Sequence, residues 1–149
     1  MSNVARFAAY AAAFEEAYAS DDWKALEPFF DEGAVYEAGS EVFLGGRFEG
    51  RPAILGYFKA VLDGFDRCFD TRELELLEGP SEEGSTVRIL GSASYRKEGF
   101  PDLVLVLEEF VTFEGEEIVR LEDRYEPAKL EELAAYIAAH GAALGFSLG

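Results

Sequence analysis

The chain has 149 residues, 49% of them hydrophobic, which suits one domain spanning 1–149 with a sizeable core. Thirteen Lys and Arg against 30 Asp and Glu give a formal net charge of −17, which repels phosphate backbones and anionic headgroups and argues against nucleic acid or a membrane surface as partner. The lone Cys68 excludes an internal disulfide, the lone His140 leaves too few soft ligands for structural zinc, and a reducing cytoplasm, with no metal and no cofactor, is the expected setting.

The first stretch, VARFAAYAAAFEEAYA, repeats Phe7, Tyr10, Ala11, Phe14, Ala17 and Tyr18 at three- and four-residue spacing, so an amphipathic helix is expected. Its charges, Arg6, Glu15 and Glu16, argue against a signal peptide, and no stretch approaches the roughly 20 apolar residues of a membrane span. Ser20 or Asp21 caps a second, shorter helix with Trp23, Leu26, Phe29 and Phe30 on its inner face, limited by Pro28 and Gly33. AVYEA is a strand, and EVFLGGRFEG a hairpin-like segment. A third helix follows, with Pro52 in its first turn and Ile54, Tyr57, Phe58, Val61 and Leu62 as its apolar face.

From Phe69 the period changes to alternation. FDTRELELLEG, STVRILGSASYRKEG, DLVLVLEEFVTFEG and EIVRLEDRYE, separated by turn residues, predict a four-stranded antiparallel meander. Residues 127–141 then predict an added closing helix with Leu130, Leu133, Ala134 and Ile137 on one face and Gly141 as its stop, covering the pocket mouth or the sheet edge.

This order, together with DDWKALEPFFDEGAVYE, FEGRPAILGYF and EEFVTFEGEEIVRLEDRYE, resembles the nuclear-transport-factor-2-like (NTF2-like) superfamily in its SnoaL-like and ketosteroid-isomerase-like branch, from about Phe7 to Tyr125. The resemblance implies an α+β fold: a cone-shaped roll of a strongly bent, mainly antiparallel sheet wrapped around three N-terminal-half helices, plus the extra C-terminal helix. It also implies an apolar pocket, and in many members a homodimer. The superfamily holds isomerases, polyketide cyclases, epoxide hydrolases, dehydratases and plain binding modules, so the fold alone does not give the function.

Carried over residue by residue, the family's catalytic groups are mostly missing. Phe14 and Ala38 stand where the isomerase has its tyrosine and aspartate, and Glu109 stands at the place of its oxyanion-hole acid. Leu90 and Ser92 stand at the arginine and aspartate of the epoxide hydrolases, while Asp123 matches the acid of the last strand. SnoaL-type cyclases, which rely on an acid in that terminal region, are the nearer match.

Strand parity singles out the same acids. Val119, Leu121, Asp123 and Tyr125 share one face, and Glu109 is the polar member of the row Leu103, Leu105, Leu107, Val111 and Phe113. A carboxyl there has to be paired, hydrogen-bonded or protonated. Pairing with Arg88 or Arg96, or a bond to Tyr18, is the plainer outcome, and a raised pKa suited to a general acid is the functional one.

Three readings follow. One is an isomerase-, cyclase- or hydrolase-like enzyme acting on a small hydrophobic molecule through Asp123 and Glu109, with Tyr18 or Tyr36 as donors. Its pocket would be lined by Phe14, Tyr18, Trp23, Phe30, Tyr36, Tyr57, Phe58, Ser92, Leu121 and Tyr125. The alternatives are a non-catalytic ligand-binding protein and an interaction module, with homodimerisation through the outer sheet face bearing Leu90, Val104, Val106 and Phe110. The same aromatic stripe equally suits a packed core, His140 suits a helix C-terminus, and Cys68 suits a packing thiol.

Overall fold

The computed structural model describes residues 2–39 and 44–147. Helix α1 (Asn3–Ser20) starts where the Ser2 hydroxyl accepts from the Ala5 N–H at 3.1 Å, and it stops at Asp21, which turns left-handed at φ 61°. Phe7, Tyr10 and Ala17 are its buried stripe.

The expected second α-helix is a 3-10 helix, Trp23–Phe29. Pro28 has no N–H to give and disfavours the α conformation at Glu27, so the tighter winding prevails. Phe30 therefore opens strand β1 (Phe30–Ala38) instead of ending a helix, and Gly33 lies inside that strand instead of stopping one. Of the expected hairpin, residues 41–43 lie outside the described residues, and β2 (Gly46–Glu49) returns antiparallel to β1 with Ala38 opposite Gly46. Helix α2 (Arg51–Gly64), with Pro52 in its first turn, buries Ile54, Leu55, Phe58 and Leu62, and a 3-10 turn (Asp66–Cys68) leads into the sheet.

Strands β3 (Thr71–Glu83), β4 (Thr86–Arg96), β5 (Leu103–Glu114) and β6 (Glu117–Tyr125) form the expected antiparallel meander. It sits in a six-stranded mixed sheet of order β2-β1-β6-β5-β4-β3, with β1 parallel to β6. The alternation in β3 continues past its expected end at Gly79 by way of register shifts. Gly79 has φ 91°, and a Cβ there would stand 2.6 Å from the Arg88 carbonyl oxygen, so only glycine fits. A bulge between Thr112 and Phe113 changes the parity of early β6: Ile118, fully buried, takes the inward place expected for Val119, while Leu121 and Asp123 face inward as expected.

Helix α3 (Pro127–Tyr136) does not stop at Gly141. It runs through a π turn (Ile137–Gly141) into Ala142–Leu144 and is capped by Gly145 at φ 84°. Leu133 is fully buried and Leu130 and Ile137 are partly so, but Ala134 is exposed and Tyr136 takes its place. These side chains pack with Phe65, Phe69, Tyr95, Leu103 and Leu105 into a second core cluster, beside the main one formed by α1, the 3-10 helix, α2 and the inner sheet face.

Replacing Leu133 by Ala is expected to cost about 2–5 kcal/mol in urea denaturation, as large-to-small changes at sealed core sites do. Ala134→Ser, at the exposed position one residue on, is expected to cost less than about 0.5 kcal/mol. Equal effects at the two positions would contradict the assigned face.

Candidate functional site

A cavity of about 410 Å³ lies between α1, α2 and the inner face of the sheet. Its wall is mainly aromatic and aliphatic: Phe7, Tyr10, Phe14, Tyr18, Trp23, Tyr36, Tyr57, Phe58, Tyr95 and Tyr125, with Ile89, Leu105, Leu107 and Leu121. The charged residues on it are Glu109, Asp123, Asp66, Glu15, Glu75 and Arg72.

Glu109 on β5 and Asp123 on β6 are direct cross-strand partners, so the antiparallel register brings two inward carboxyls together. Asp123 is only 8% exposed. Tyr36 on β1, two residues before Ala38 in the parallel pairing with β6, donates its hydroxyl to Asp123 Oδ2 at 2.5 Å. Among the described residues, buried Asp123 Oδ1 has no hydrogen-bond partner of its own. The Glu109 carboxyl lies within hydrogen-bonding reach of Asp123. Two ionised carboxylates are both acceptors only, whereas a protonated Glu109 donates to Asp123.

The electrostatics assign the proton the same way. Burial, then the Asp123 charge, pushes the Glu109 carboxyl well above the usual carboxylate range. Burial also raises Asp123, but the hydrogen bonds from Tyr36 and Glu109 oppose it. The pair therefore carries one shared proton, held on Glu109, with the charge on Asp123. Burial, followed by Glu109 and Asp123 at Tyr10 and by Asp123 at Tyr36 and Tyr125, also raises these three phenols well above their ordinary range, so all stay protonated donors.

Neither arginine weighed as a partner is used here. Arg88 binds Glu108 at 2.7 Å and Glu78 at 3.3 Å; Arg96 binds Glu73 at 2.9 Å and Asp102 at 3.3 Å. Among the described residues no Lys or Arg forms an ion pair with Glu109 or Asp123.

The remaining expected site residues divide. Phe14 meets Trp23 and Phe58 edge-on at 5.5 and 5.4 Å on the wall, and Trp23 donates its indole N–H to Asp21, so these are apolar lining. Tyr57 stacks on Phe48 at 4.2 Å while bordering the cavity. The Tyr18 ring lies under the Arg72 guanidinium at 4.2 Å, and burial pushes its phenol up to about 12. Ser92 borders the cavity, but its register opposite Val106 gives the inward places on β4 to Gly91 and Ala93. Phe30 is not on the wall: it is fully buried behind it, against Tyr10 and Phe58. His140 stands between the rings of Phe100 and Tyr136, away from the cavity.

Sequence reasoning missed Tyr10 as a wall residue, and with it Asp66, Tyr95, Arg72 and Glu15. For Arg72 a signal existed, since alternation in RELELLE puts it on the face of Leu74 and Leu76. Asp66, in a short turn, had none. It is 9% exposed, and burial pushes its carboxyl up to about 6 against the pull of Arg72 and a hydrogen bond from Tyr95. Among the described residues no group of three or more His, Cys, Asp and Glu could hold a metal ion, and no helix is long and apolar enough to cross a membrane.

No family model and no curated protein matches the chain by sequence. Solved structures do match. An NTF2-like protein of unknown function from Burkholderia pseudomallei superposes with TM-score 0.68 at 17% identity, covering 92% of this chain and 98% of that one. A ketosteroid-isomerase-like protein from Catenulispora acidiphila, in complex with trimethylamine, gives 0.63 at 18%, covering 87% and 95%. A proposed polyketide cyclase from Xanthomonas campestris gives 0.60 at 22%, covering 91% and 99%. The chain thus has the NTF2-like, ketosteroid-isomerase-like fold.

The shared proton has a consequence for stability. Because the folded pKa of Glu109 lies above its unfolded value, its contribution is fully present below the ordinary carboxylate range and is lost as pH rises toward the folded value. Urea denaturation between about pH 5 and about pH 8 is expected to show stability falling, by up to about 1.4 kcal/mol per pH unit for one proton. Glu109→Gln, which mimics the protonated acid, is expected to remove that part of the slope. An identical slope in the variant would contradict the assignment.

Proposed function

We propose that the chain binds a small hydrophobic molecule in this cavity and performs acid–base chemistry of the isomerase, cyclase or hydrolase type on it, through Asp123 and Glu109. The reading is carried by one observation: two facing carboxyls on the wall of a largely apolar cavity which, among the described residues, form no ion pair with a Lys or Arg. Such a pair costs stability, and its raised, separated pKa values suit one carboxylate that takes a proton and one acid that gives it.

In this scheme Asp123 accepts a proton from the ligand, Glu109 protonates or hydrogen-bonds the ligand oxygen where charge develops, and Tyr36 holds Asp123 in place. Ala38 and Phe14 supply no base and no phenol, so steroid-type isomerisation is not the reaction proposed. That one similar structure is a complex with trimethylamine is in keeping with small-molecule binding by this fold. A reducing cytoplasm suits the lone Cys68.

The second reading is a ligand-binding or interaction module without turnover. It is favoured by the half-buried apolar group of Leu90, Val104, Val106 and Phe110 on the outer sheet face, which pairing of two copies as a homodimer would cover. Sedimentation at micromolar concentration is expected to give twice the chain mass, and a monomer would refute the pairing.

Asp123→Asn keeps the side-chain shape and removes the proton acceptor. For a ligand found by thermal-shift screening of hydrophobic carbonyl and hydroxyl compounds, the variant is expected to bind within a few-fold of wild type and to lose roughly 10²–10⁴ in rate. Normal turnover would overturn the catalytic reading in favour of the binding module.

A further inference from the structure

Away from the Glu109–Asp123 pair the cavity has a second polar place. Asp66, in the turn after α2, borders it together with Arg72 of β3 and Tyr95 of β4, which are cross-strand partners on the inner face. The Tyr95 hydroxyl is within hydrogen-bonding reach of both Asp66 and Arg72. Arg72 is held in place: it binds Glu15 with two bonds, at 2.8 and 3.3 Å, and stacks on Tyr18. Tyr57 and Tyr125 feel the charges of both Asp123 and Asp66, so the two polar places share one chamber, with these two phenols within range of both.

The charges decide what this place can take. A carboxylate ligand would meet Asp66 and Glu15, and Arg72, the one Lys or Arg on the wall among the described residues, is already bound to Glu15. An ammonium would meet the Arg72 guanidinium, which already offsets the Asp66 charge. A neutral hydroxyl meets neither penalty: it donates to Asp66 and accepts from Arg72, whose guanidinium has further N–H donors. On β3 the exposed Leu74 and Leu76, on the same face as Arg72, border the cavity and offer an apolar lip beside it.

We propose that Asp66, Tyr95 and Arg72 form a second anchor in the cavity, which takes the hydroxyl of a neutral phenol or alcohol whose other end lies at Asp123 and Glu109. This rests on the ligand-binding reading of the cavity but not on turnover. Asp66 is faced by Arg72, Tyr95, Tyr18 and Glu15, with Tyr57, Tyr125 and Cys68 also within range of its charge. A hydroxyl donor favours the ionised carboxylate, so affinity is held above the Asp66 value of about 6 and falls as pH drops through it.

The test uses rigid probes differing at one end, measured by calorimetry with the full chain: dihydroxybiphenyl, hydroxybiphenyl, and hydroxybiphenyls whose second hydroxyl is replaced by a carboxylate or an aminomethyl group. The diphenol is expected to bind at least about tenfold more tightly than each of the other three, as one hydrogen bond to a charged group allows. Its advantage over hydroxybiphenyl is expected to fade below pH 6 and to vanish in Asp66→Asn at all pH values. Should that variant misfold, the wild-type probe ranking and its pH course decide alone. Equal or tighter binding of the carboxylate or amine probe overturns the second anchor while leaving the cavity reading intact, and so does a pH-independent diphenol advantage. Absence of binding by all four overturns both.

Discussion

Two carboxyls facing one another across β5 and β6, with one proton between them, are the constraint around which the interior is arranged. An ionised pair in a low-dielectric wall would be repelled and desolvated at once, and among the described residues no Lys or Arg pairs with it. Protonation of Glu109 resolves both problems by making it a donor to Asp123, while Tyr36 serves Oδ2. The cost of holding that proton is the kind of local expense that folds tolerate at sites of chemistry.

The sheet does the positioning. Antiparallel register sets Glu109 against Asp123, and the parallel insertion of β1 beside β6 carries Tyr36 to the same spot. The bulge at Thr112 and Phe113 lies on the β6 side of this arrangement: it buries Ile118 and restores the parity that turns Leu121 and Asp123 inward. On the outer face the charges are absorbed among themselves, as Arg120 and Arg124 bind Glu122 and Arg88 binds Glu108. That sorting engages these outer-face arginines away from the Glu109–Asp123 pair.

Where sequence reading succeeded, a periodic signal existed. The stripe of α1, the meander, and the inward places of Glu109 and Asp123 all follow from periods of 3.6 and 2. Pro28 was recognised as a limit but not as the reason for 3-10 winding, and the inward turn of Ile118 depends on a bulge that alternation cannot foresee. Gly141 looked like a stop because glycine favours helix ends, yet the helix passes through it with ordinary helical angles and ends at Gly145. Asp66 stayed hidden because its burial is created by contacts distant in sequence, from β3, β4 and α1, none of which its own segment announces.

The shared proton can be observed directly by infrared difference spectroscopy of the carboxylic-acid carbonyl stretch, wild type against Glu109→Gln, at about pH 7.5, where ordinary carboxyls are ionised. A protonated-acid band present in the wild type and absent from the variant is the predicted result. A wild-type spectrum without such a band, or a band that survives the substitution unchanged, would contradict the assignment of the proton to Glu109.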